Sequence, residues 1–150
     1  MDIKKIKTLR EQTGVSLALC KKALEESKED IEKAKKLLQQ WGAELLAKKS
    51  ANVTQEGAIF SYVHHNKKIA SLVEIVCQTD FVAKNKEFQN LGQEIAMQVA
   101  SIPAENIKQL LNQEYIRNPS KKISDLINEA VLKFGENIKI TRFLRWQIGL

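Results

Sequence analysis

The sequence predicts an α+β protein in which a three-helix bundle precedes a small domain with a three-stranded, mainly antiparallel sheet. Residues 1–42 repeat apolar side chains at helical spacing, whereas residues 57–77 contain two β-rich runs. An alternating run closes the chain after several helical patterns. We therefore expect an N-terminal module over residues 1–50, a linker over 51–56 and a core domain over 57–150.

The N-terminal module is predicted to contain three short amphipathic helices. Gly14 ends the first, Ser16 caps the second, and Asp30 caps a third that ends at Gly42. The stripes expected to face inward are Ile3, Ile6, Leu9 and Thr13; Leu17, Cys20, Ala23, Leu24 and Ser27; and Ile31, Ala34, Leu37, Leu38 and Trp41. Helices of about three turns are marginal alone in water, so these three must bury their stripes together.

The core domain begins with GAIFSYVHH (57–65) and KIASLVEIVC (68–77), which a short loop joins into a hairpin. An amphipathic helix and a shorter one follow, then a loop at 117–120 and a last helix over 123–135. In the closing strand, the side chains expected to be buried are Ile138, Ile140, Leu144, Trp146 and Ile148.

Composition indicates a soluble globular protein. Of 150 residues, 43% are hydrophobic and 28% charged, and 24 basic against 18 acidic side chains give a formal charge of +6. The N-terminus lacks the apolar core of a signal peptide, and no run approaches the roughly 18 apolar residues of a membrane span. Cys20 and Cys77 fit no metal or redox spacing and are interpreted as buried thiols. We expect a cytoplasmic protein.

The motifs of common enzyme classes are missing from the sequence. None of the six glycines stands in a phosphate-binding loop, and no Ser or Cys has a recognisable nucleophile context. His64 and His65 are the one tempting pair, but adjacent residues of a strand point to opposite faces, which disfavours a shared site. The sequence therefore predicts no catalytic residue, no cofactor and no metal.

The segment TDFV (79–82) is unusual because it places a carboxylate beside an aromatic side chain where the second strand ends. One interpretation is structural: Thr79 caps the following helix, Asp80 complements its dipole, and Phe81 covers an edge of the core. The other is functional: the corner presents Asp80 and Phe81 outward to a partner, as rigidly held loops often do. The residues by themselves leave both interpretations open.

The run CQTDFVAKN (77–85) resembles the signature of the elongation factor Ts family, and other segments resemble that family in the same order. They are LREQTG (9–14), CKKALEES (20–27), DIEKA (30–34), AKKSANVTQEG (47–57), VHHN (63–66) and GENIKITRF (135–143). The resemblance implies a UBA-like (ubiquitin-associated-like) N-terminal module and a short, single-core member of the family.

The resemblance also implies a guanine nucleotide exchange factor that binds the GTPase elongation factor Tu and expels its GDP. The residues that match the segment pushed in near the magnesium site of that GTPase are Thr79, Asp80, Phe81 and Val82. Arg10 matches a basic position of the N-terminal module. Leu19 is a candidate apolar contact in a turn, residues 16–19, where this chain departs from the family's Gly-Met-Met-Asp.

Two other classes of protein stay open at this point. One is a UBA-like binding module without exchange activity, and the other is a basic RNA-binding protein, which the isoelectric point near 9.3 suggests. The basic side chains do not line one face together with aromatic ones, which speaks against RNA.

A single core would leave its three-stranded sheet with two edges and one uncovered face. Phe143 is expected on the outer side of the closing strand, without a partner in the chain. Short members of the family meet this by dimerising. We therefore expect a homodimer joined at or near the closing strand.

Overall fold

The computed structural model describes residues 2–149; Met1 and Leu150, the end residues of the two predicted domains, lie outside this range. The chain divides into two units. Unit 1 combines the segment that ends at Ala51 with Ile127–Glu136. Unit 2 combines Asn52–Leu126 with the segment that starts at Asn137. The division differs from the predicted domains at residues 127–136, which we expected in the core domain.

Unit 1 contains the three predicted N-terminal helices, which are α1 (Ile3–Thr13), α2 (Leu17–Glu26) and α3 (Ile31–Lys49). The side chain of Ser16 accepts a hydrogen bond from the Leu19 N–H, and that of Asp30 accepts one from the Lys33 N–H. Gly14 closes α1 in the left-handed region with φ 72°. The three predicted caps are therefore confirmed, and each lies where the helical pattern is interrupted.

The core of unit 1 is a cluster of fully buried side chains from these helices and the turn after α1: Leu9, Val15, Cys20, Ala23, Leu24, Ala34 and Leu38. Leu132 packs against this cluster, which explains why residues 127–136 group with the helices. Ile3 and Leu17 were predicted to be buried, but this is wrong, since they are 66% and 47% exposed at the first positions of α1 and α2. Leu19 instead packs, partly buried, against the cluster.

The prediction that α3 ends at Gly42 is wrong, because the helix continues to Lys49. The glycine is buried, and a Cβ at this position would overlap the backbone carbonyl of Asn128. Within unit 1, Gly42 therefore allows α3 to approach the backbone of residues 127–136.

Unit 2 is built on a three-stranded antiparallel sheet in the order β1–β2–β5, which confirms the predicted sheet. The strands are β1 (Glu56–Val63), β2 (Ile69–Cys77) and β5 (Lys139–Gln147). The remaining elements of the chain are α4 (Asp80–Ala83), α5 (Lys86–Ser101), α6 (Ile107–Asn112), β3 (Glu114–Tyr115), β4 (Asn118–Lys122) and α7 (Ile123–Phe134).

The pair β3–β4 forms a second small sheet that the sequence interpretation missed, so the loop expected at 117–120 is wrong for 118–120. The fully buried side chain of Gln98 holds this hairpin. Its Nε2 donates to the Glu114 carbonyl at 3.0 Å, and its Oε1 accepts from the Ile116 N–H at 3.0 Å. A side-chain amide thus replaces part of a strand ladder, which no alternation pattern reveals.

The inner face of the main sheet packs against α5. The rings of Phe60 and Phe88 lie 5.9 Å apart, and a Cβ on Gly92 would overlap the Phe60 ring. The Ser71 hydroxyl donates to the Ala96 carbonyl at 2.6 Å. These contacts leave the opposite face of the sheet, which we call the outer face, away from α5.

A β-bulge in β5 determines which side chains reach the outer face. Glu74 pairs with Arg142, whereas the next residue of β2, Ile75, pairs with Ile140, so Thr141 is the extra residue. The bulge reverses the alternation. The prediction that Leu144 and Trp146 are buried is therefore wrong; they are 44% and 70% exposed. Ile148, which was also predicted to be buried, lies after the end of β5 and is 73% exposed.

The same reversal corrects the predicted position of Phe143. This residue pairs with Val73, which is fully buried, and it lies on the inner side of β5 with intermediate burial. Ile138 and Ile140, which precede the bulge, are buried as expected.

We predict that Gly42→Ala destabilises the protein by about 1–3 kcal/mol because the added methyl group overlaps the Asn128 backbone. Helix propensity alone would give the opposite sign, a gain of about 1 kcal/mol. Chemical denaturation measures the difference. The control is Gln40→Ala on the exposed side of the same helix, which should stay within about 0.5 kcal/mol of wild type. A stabilised Gly42→Ala variant would contradict the close approach.

Candidate functional site

The TDFV segment forms a sharp corner between β2 and α5. The Thr79 hydroxyl accepts a hydrogen bond from the Val82 N–H at 3.3 Å and so caps α4, which confirms this part of the structural interpretation. The helix has only four residues. The N-cap of α5, Asn85, follows almost at once and accepts from the Glu87 N–H at 2.8 Å.

The four residues of TDFV differ sharply in exposure. Phe81 is 83% exposed, so the interpretation in which it covers the core is wrong. Asp80 is also exposed, and its carboxylate lies 3.6 Å from the Lys84 ammonium in a solvated pair that contributes little. Val82 is only 8% exposed, and it anchors the segment from below. The corner therefore presents a carboxylate and an aromatic ring outward.

Both ends of the corner are tied to the rest of unit 2. At its start, the Cys77 thiol donates to the Thr79 carbonyl at 3.2 Å. At its end, the Gln89 side chain donates to the Ala83 carbonyl at 2.6 Å. Phe81 thus projects from a short helix whose backbone is fixed on both sides.

A hydrogen-bonded cluster lies at the base of the corner. The Gln78 Oε1 accepts from the Asn137 N–H at 2.6 Å and from the Asn52 Nδ2 at 3.2 Å, and the Asn137 Nδ2 donates to the Asn52 carbonyl at 3.0 Å. Asn137 is 1% exposed. The sequence interpretation quoted Gln78 within a motif but did not single it out, and no pattern pointed to the asparagines.

The outer face of the sheet is the second feature that the sequence interpretation missed. Its cross-strand rows are Ile59–Glu74–Arg142, Ser61–Leu72–Leu144 and Val63–Ala70–Trp146. The apolar members Ile59, Val63 and Leu72 are 63%, 56% and 45% exposed. Large exposed apolar patches of this kind are typical of interaction surfaces.

One ion pair lies at an end of the outer face. Arg142 contacts Glu74 at 3.0 Å, and the Thr141 hydroxyl donates to the same carboxylate at 2.6 Å. The hydrogen bond from Thr141 and then the one from Arg142 lower the pKa of Glu74. Thr141 and Arg142 thus both stabilise the ionised form of this carboxylate.

Arg10 and Leu19, the predicted contacts of the N-terminal module, both belong to unit 1. Arg10 is exposed on α1. Burial and, to a smaller degree, the Arg10 charge lower the pKa of Lys133. Leu19 is half-buried against the core of the unit. A groove between α1 and α2 contains the exposed apolar side chains Ile3 and Leu17. Its other lining residues are Ile6, Lys7, Ala18 and Lys21.

The argument that set His64 and His65 on opposite faces is wrong because β1 ends at Val63. Their rings lie 4.1 Å apart, and the Tyr62 hydroxyl is 2.9 Å from the His64 Nδ1. Within residues 2–149, no group of three or more His, Cys, Asp or Glu side chains is placed to hold a metal ion. No helix in the same range is long and apolar enough to cross a membrane.

Fold and site together define a two-unit α+β protein that presents an acidic and aromatic corner and an apolar sheet face. The family model described as "Elongation factor TS" matches residues 78–149, which include the corner and β5. The "Elongation factor Ts" of Thermosipho melanesiensis is 38% identical over 191 aligned positions, which cover 97% of both chains. The protein of the same name from Thermotoga neapolitana is 39% identical, over 96% of this chain and 95% of its own. The protein of the same name from Petrotoga mobilis is 36% identical, over 99% of this chain and 98% of its own.

This chain therefore belongs to the elongation factor Ts family, and its function is that of a translation elongation factor. The alignment with the Thermosipho protein spans 191 positions, whereas this chain has 150 residues, so at least 41 of those positions are filled by the relative alone.

We predict that Phe81→Ala leaves the free energy of unfolding within about 0.5 kcal/mol of wild type because the ring is 83% exposed. The matched control is Phe88→Ala, in which a fully buried ring is lost and about 3–5 kcal/mol of stability with it. Thermal and chemical unfolding of both variants measure the contrast. Early melting of Phe81→Ala would show that the ring belongs to the core.

Proposed function

We propose that this protein is a guanine nucleotide exchange factor of the cytoplasm that binds elongation factor Tu·GDP and promotes release of the GDP, so that GTP can rebind. The observation that carries the proposal is the corner at Asp80 and Phe81, which is exposed on a fixed backbone within the segment that the family model matches. The protein breaks and forms no covalent bond in this role and needs no cofactor, so it is not an enzyme.

The mechanism rests on the charge of the magnesium ion in the partner. Mg²⁺ bridges phosphate oxygens of GDP to protein oxygens and is among the largest local charges in such a site. Phe81, inserted between elements of the partner, displaces the backbone that holds the ion, and Asp80 adds a competing polar contact. Thr79 supports Asp80 and Phe81 as the N-cap of α4, and Val82 supports them through its buried side chain.

The energy that exchange requires is modest for such an anchor. Binding of the factor and of GDP are reciprocally coupled, so the factor must bind the distorted state of the GTPase better than its GDP state. A 10⁴-fold weakening of GDP needs about 5.5 kcal/mol of differential binding. A few buried side chains at an interface can supply that amount.

The N-terminal helices, in a UBA-like arrangement, provide a second contact with the same partner in this proposal. The groove between α1 and α2 supports it, because exposed Leu17 and Ile3 lie there between Lys7 and Lys21. Leu19 contributes apolar surface from its partly buried position against the core of unit 1, and Arg10 contributes charge on the exposed surface of α1. A UBA-like module without exchange activity and an RNA-binding protein are both disfavoured by the family relationship.

The outer face of the sheet supports a homodimer. It is apolar at its centre and carries Leu144 and Trp146 of the closing strand, where we expected the contact. A two-fold axis through this face would bury the same rows of both copies against each other. Glu74 and Arg142 lie at one end of each face and would limit the interface there.

Phe81→Ala should slow the release of a fluorescent GDP from elongation factor Tu by more than tenfold in stopped-flow measurements. Loss of an aromatic hot spot costs about 2 kcal/mol or more, roughly thirtyfold. The control is Ile102→Ala, another exposed apolar side chain of unit 2, which should release GDP at the wild-type rate. If wild-type protein does not accelerate release, the proposed function is wrong.

Light scattering at tens of micromolar tests the dimer. Wild type should give about twice the chain mass of 17.1 kDa, and Trp146→Glu should give a monomer because it places a charge in the apolar rows. Val53→Glu, which changes an exposed valine outside the sheet, should stay dimeric. A wild-type mass near 17.1 kDa with exchange intact would show that one core is sufficient.

A further inference from the structure

The cluster of Gln78, Asn52 and Asn137 joins three stretches of unit 2 that are distant in sequence. Asn52 precedes β1, Gln78 lies between β2 and α4, and Asn137 precedes β5. Gln78 Oε1 accepts from both asparagines, at 2.6 Å from the Asn137 backbone N–H and 3.2 Å from the Asn52 side chain. Asn137 closes the triangle with its 3.0 Å bond to the Asn52 carbonyl.

The position of Gln78 gives this cluster a direct effect on the corner. Gln78 is followed immediately by Thr79, the cap of α4, so its backbone sets the direction in which the helix leaves the sheet. A helix of four residues has too few internal hydrogen bonds to keep its own direction. The contacts on either side of it must therefore hold the Phe81 ring in place.

One member of the cluster is almost completely buried. Asn137 is 1% exposed, and a buried polar side chain keeps its hydrogen bonds because leaving them unmade is costly. Removal of the Gln78 amide would leave the Asn137 backbone N–H without this acceptor and would detach Asn52 from the base of the corner.

We propose that Gln78, held by Asn52 and Asn137, is a positioning residue for nucleotide exchange and acts only through Phe81. This inference rests on the proposed exchange function. The cluster fixes the base of α4 so that Phe81 meets the partner already in its working orientation. A displacement of about 1 Å at a working group can cost up to a hundredfold in rate.

A double-mutant cycle separates this role from a merely structural one. The four proteins are wild type, Gln78→Ala, Phe81→Ala and the double variant, and the measurement is the rate of fluorescent GDP release from elongation factor Tu at saturating factor. Gln78→Ala should slow release roughly tenfold in the wild-type background. In the Phe81→Ala background it should slow release by less than about twofold, because a ring that is absent cannot be misplaced.

Two control variants and a second variant of the cluster accompany the cycle. Gln93→Ala removes an exposed amide from α5 and should leave the rate unchanged. Val73→Ala truncates a fully buried side chain and should lower the melting temperature without changing the saturating rate. Asn52→Ala removes one donor to Gln78 at an exposed position. It should slow release in part, and it replaces Gln78→Ala in the cycle if that variant does not fold.

The outcomes distinguish this inference from the proposed function. Equal slowing by Gln78→Ala in both backgrounds overturns the inference, as does a wild-type rate for Gln78→Ala while Phe81→Ala is slow. A wild-type rate for Phe81→Ala overturns the proposed role of the corner and, with it, this inference. The inference is supported if Gln78→Ala slows release in the wild-type background and has no such effect in the Phe81→Ala background.

Discussion

The extra residue in β5 is the constraint on which unit 2 depends most. Thr141 shifts the register so that Ile140 faces inward before the bulge and Phe143 faces inward after it. Without the shift, Trp146 and Leu144 would lie on the face that packs against α5, where Arg145 now donates a hydrogen bond to the Ala100 carbonyl at 3.0 Å. The bulge therefore gives the inner face a close-packed core and gives the outer face its apolar rows. The Thr141 hydroxyl donates a hydrogen bond to the carboxylate of Glu74, the residue at which the register changes.

Much of the fold follows from local chemistry that a sequence displays. Caps at Ser16, Asp30 and Thr79 are predictable because the side chain that accepts the hydrogen bond lies within three residues of the donor. The hairpin of β1 and β2 was predictable for a related reason, since apolar runs and a short turn specify it. These are contacts between neighbours in the chain.

Several parts that sequence reasoning missed depend on contacts between distant residues. Gly42 has the appearance of a helix end, and only the Asn128 backbone shows why the helix needs a glycine there. The β3–β4 hairpin depends on Gln98, and the exposure of Trp146 depends on a bulge that alternation cannot reveal. At the corner, the exposed ring could be proposed from its motif, but the cluster around Gln78 joins residues up to 85 positions apart.

The exposure of Phe81 has a consequence for binding energy. Burying a phenylalanine side chain is worth about 1.5–3 kcal/mol, and this chain folds without using that free energy at Phe81. It stays available to any partner that covers the ring. Because Val82 and Ala83 are buried beside it and the backbone is bonded at both ends, little of that free energy is lost to ordering the segment on binding. An anchor of this kind can favour one state of a partner over another, since its geometry does not adapt to both.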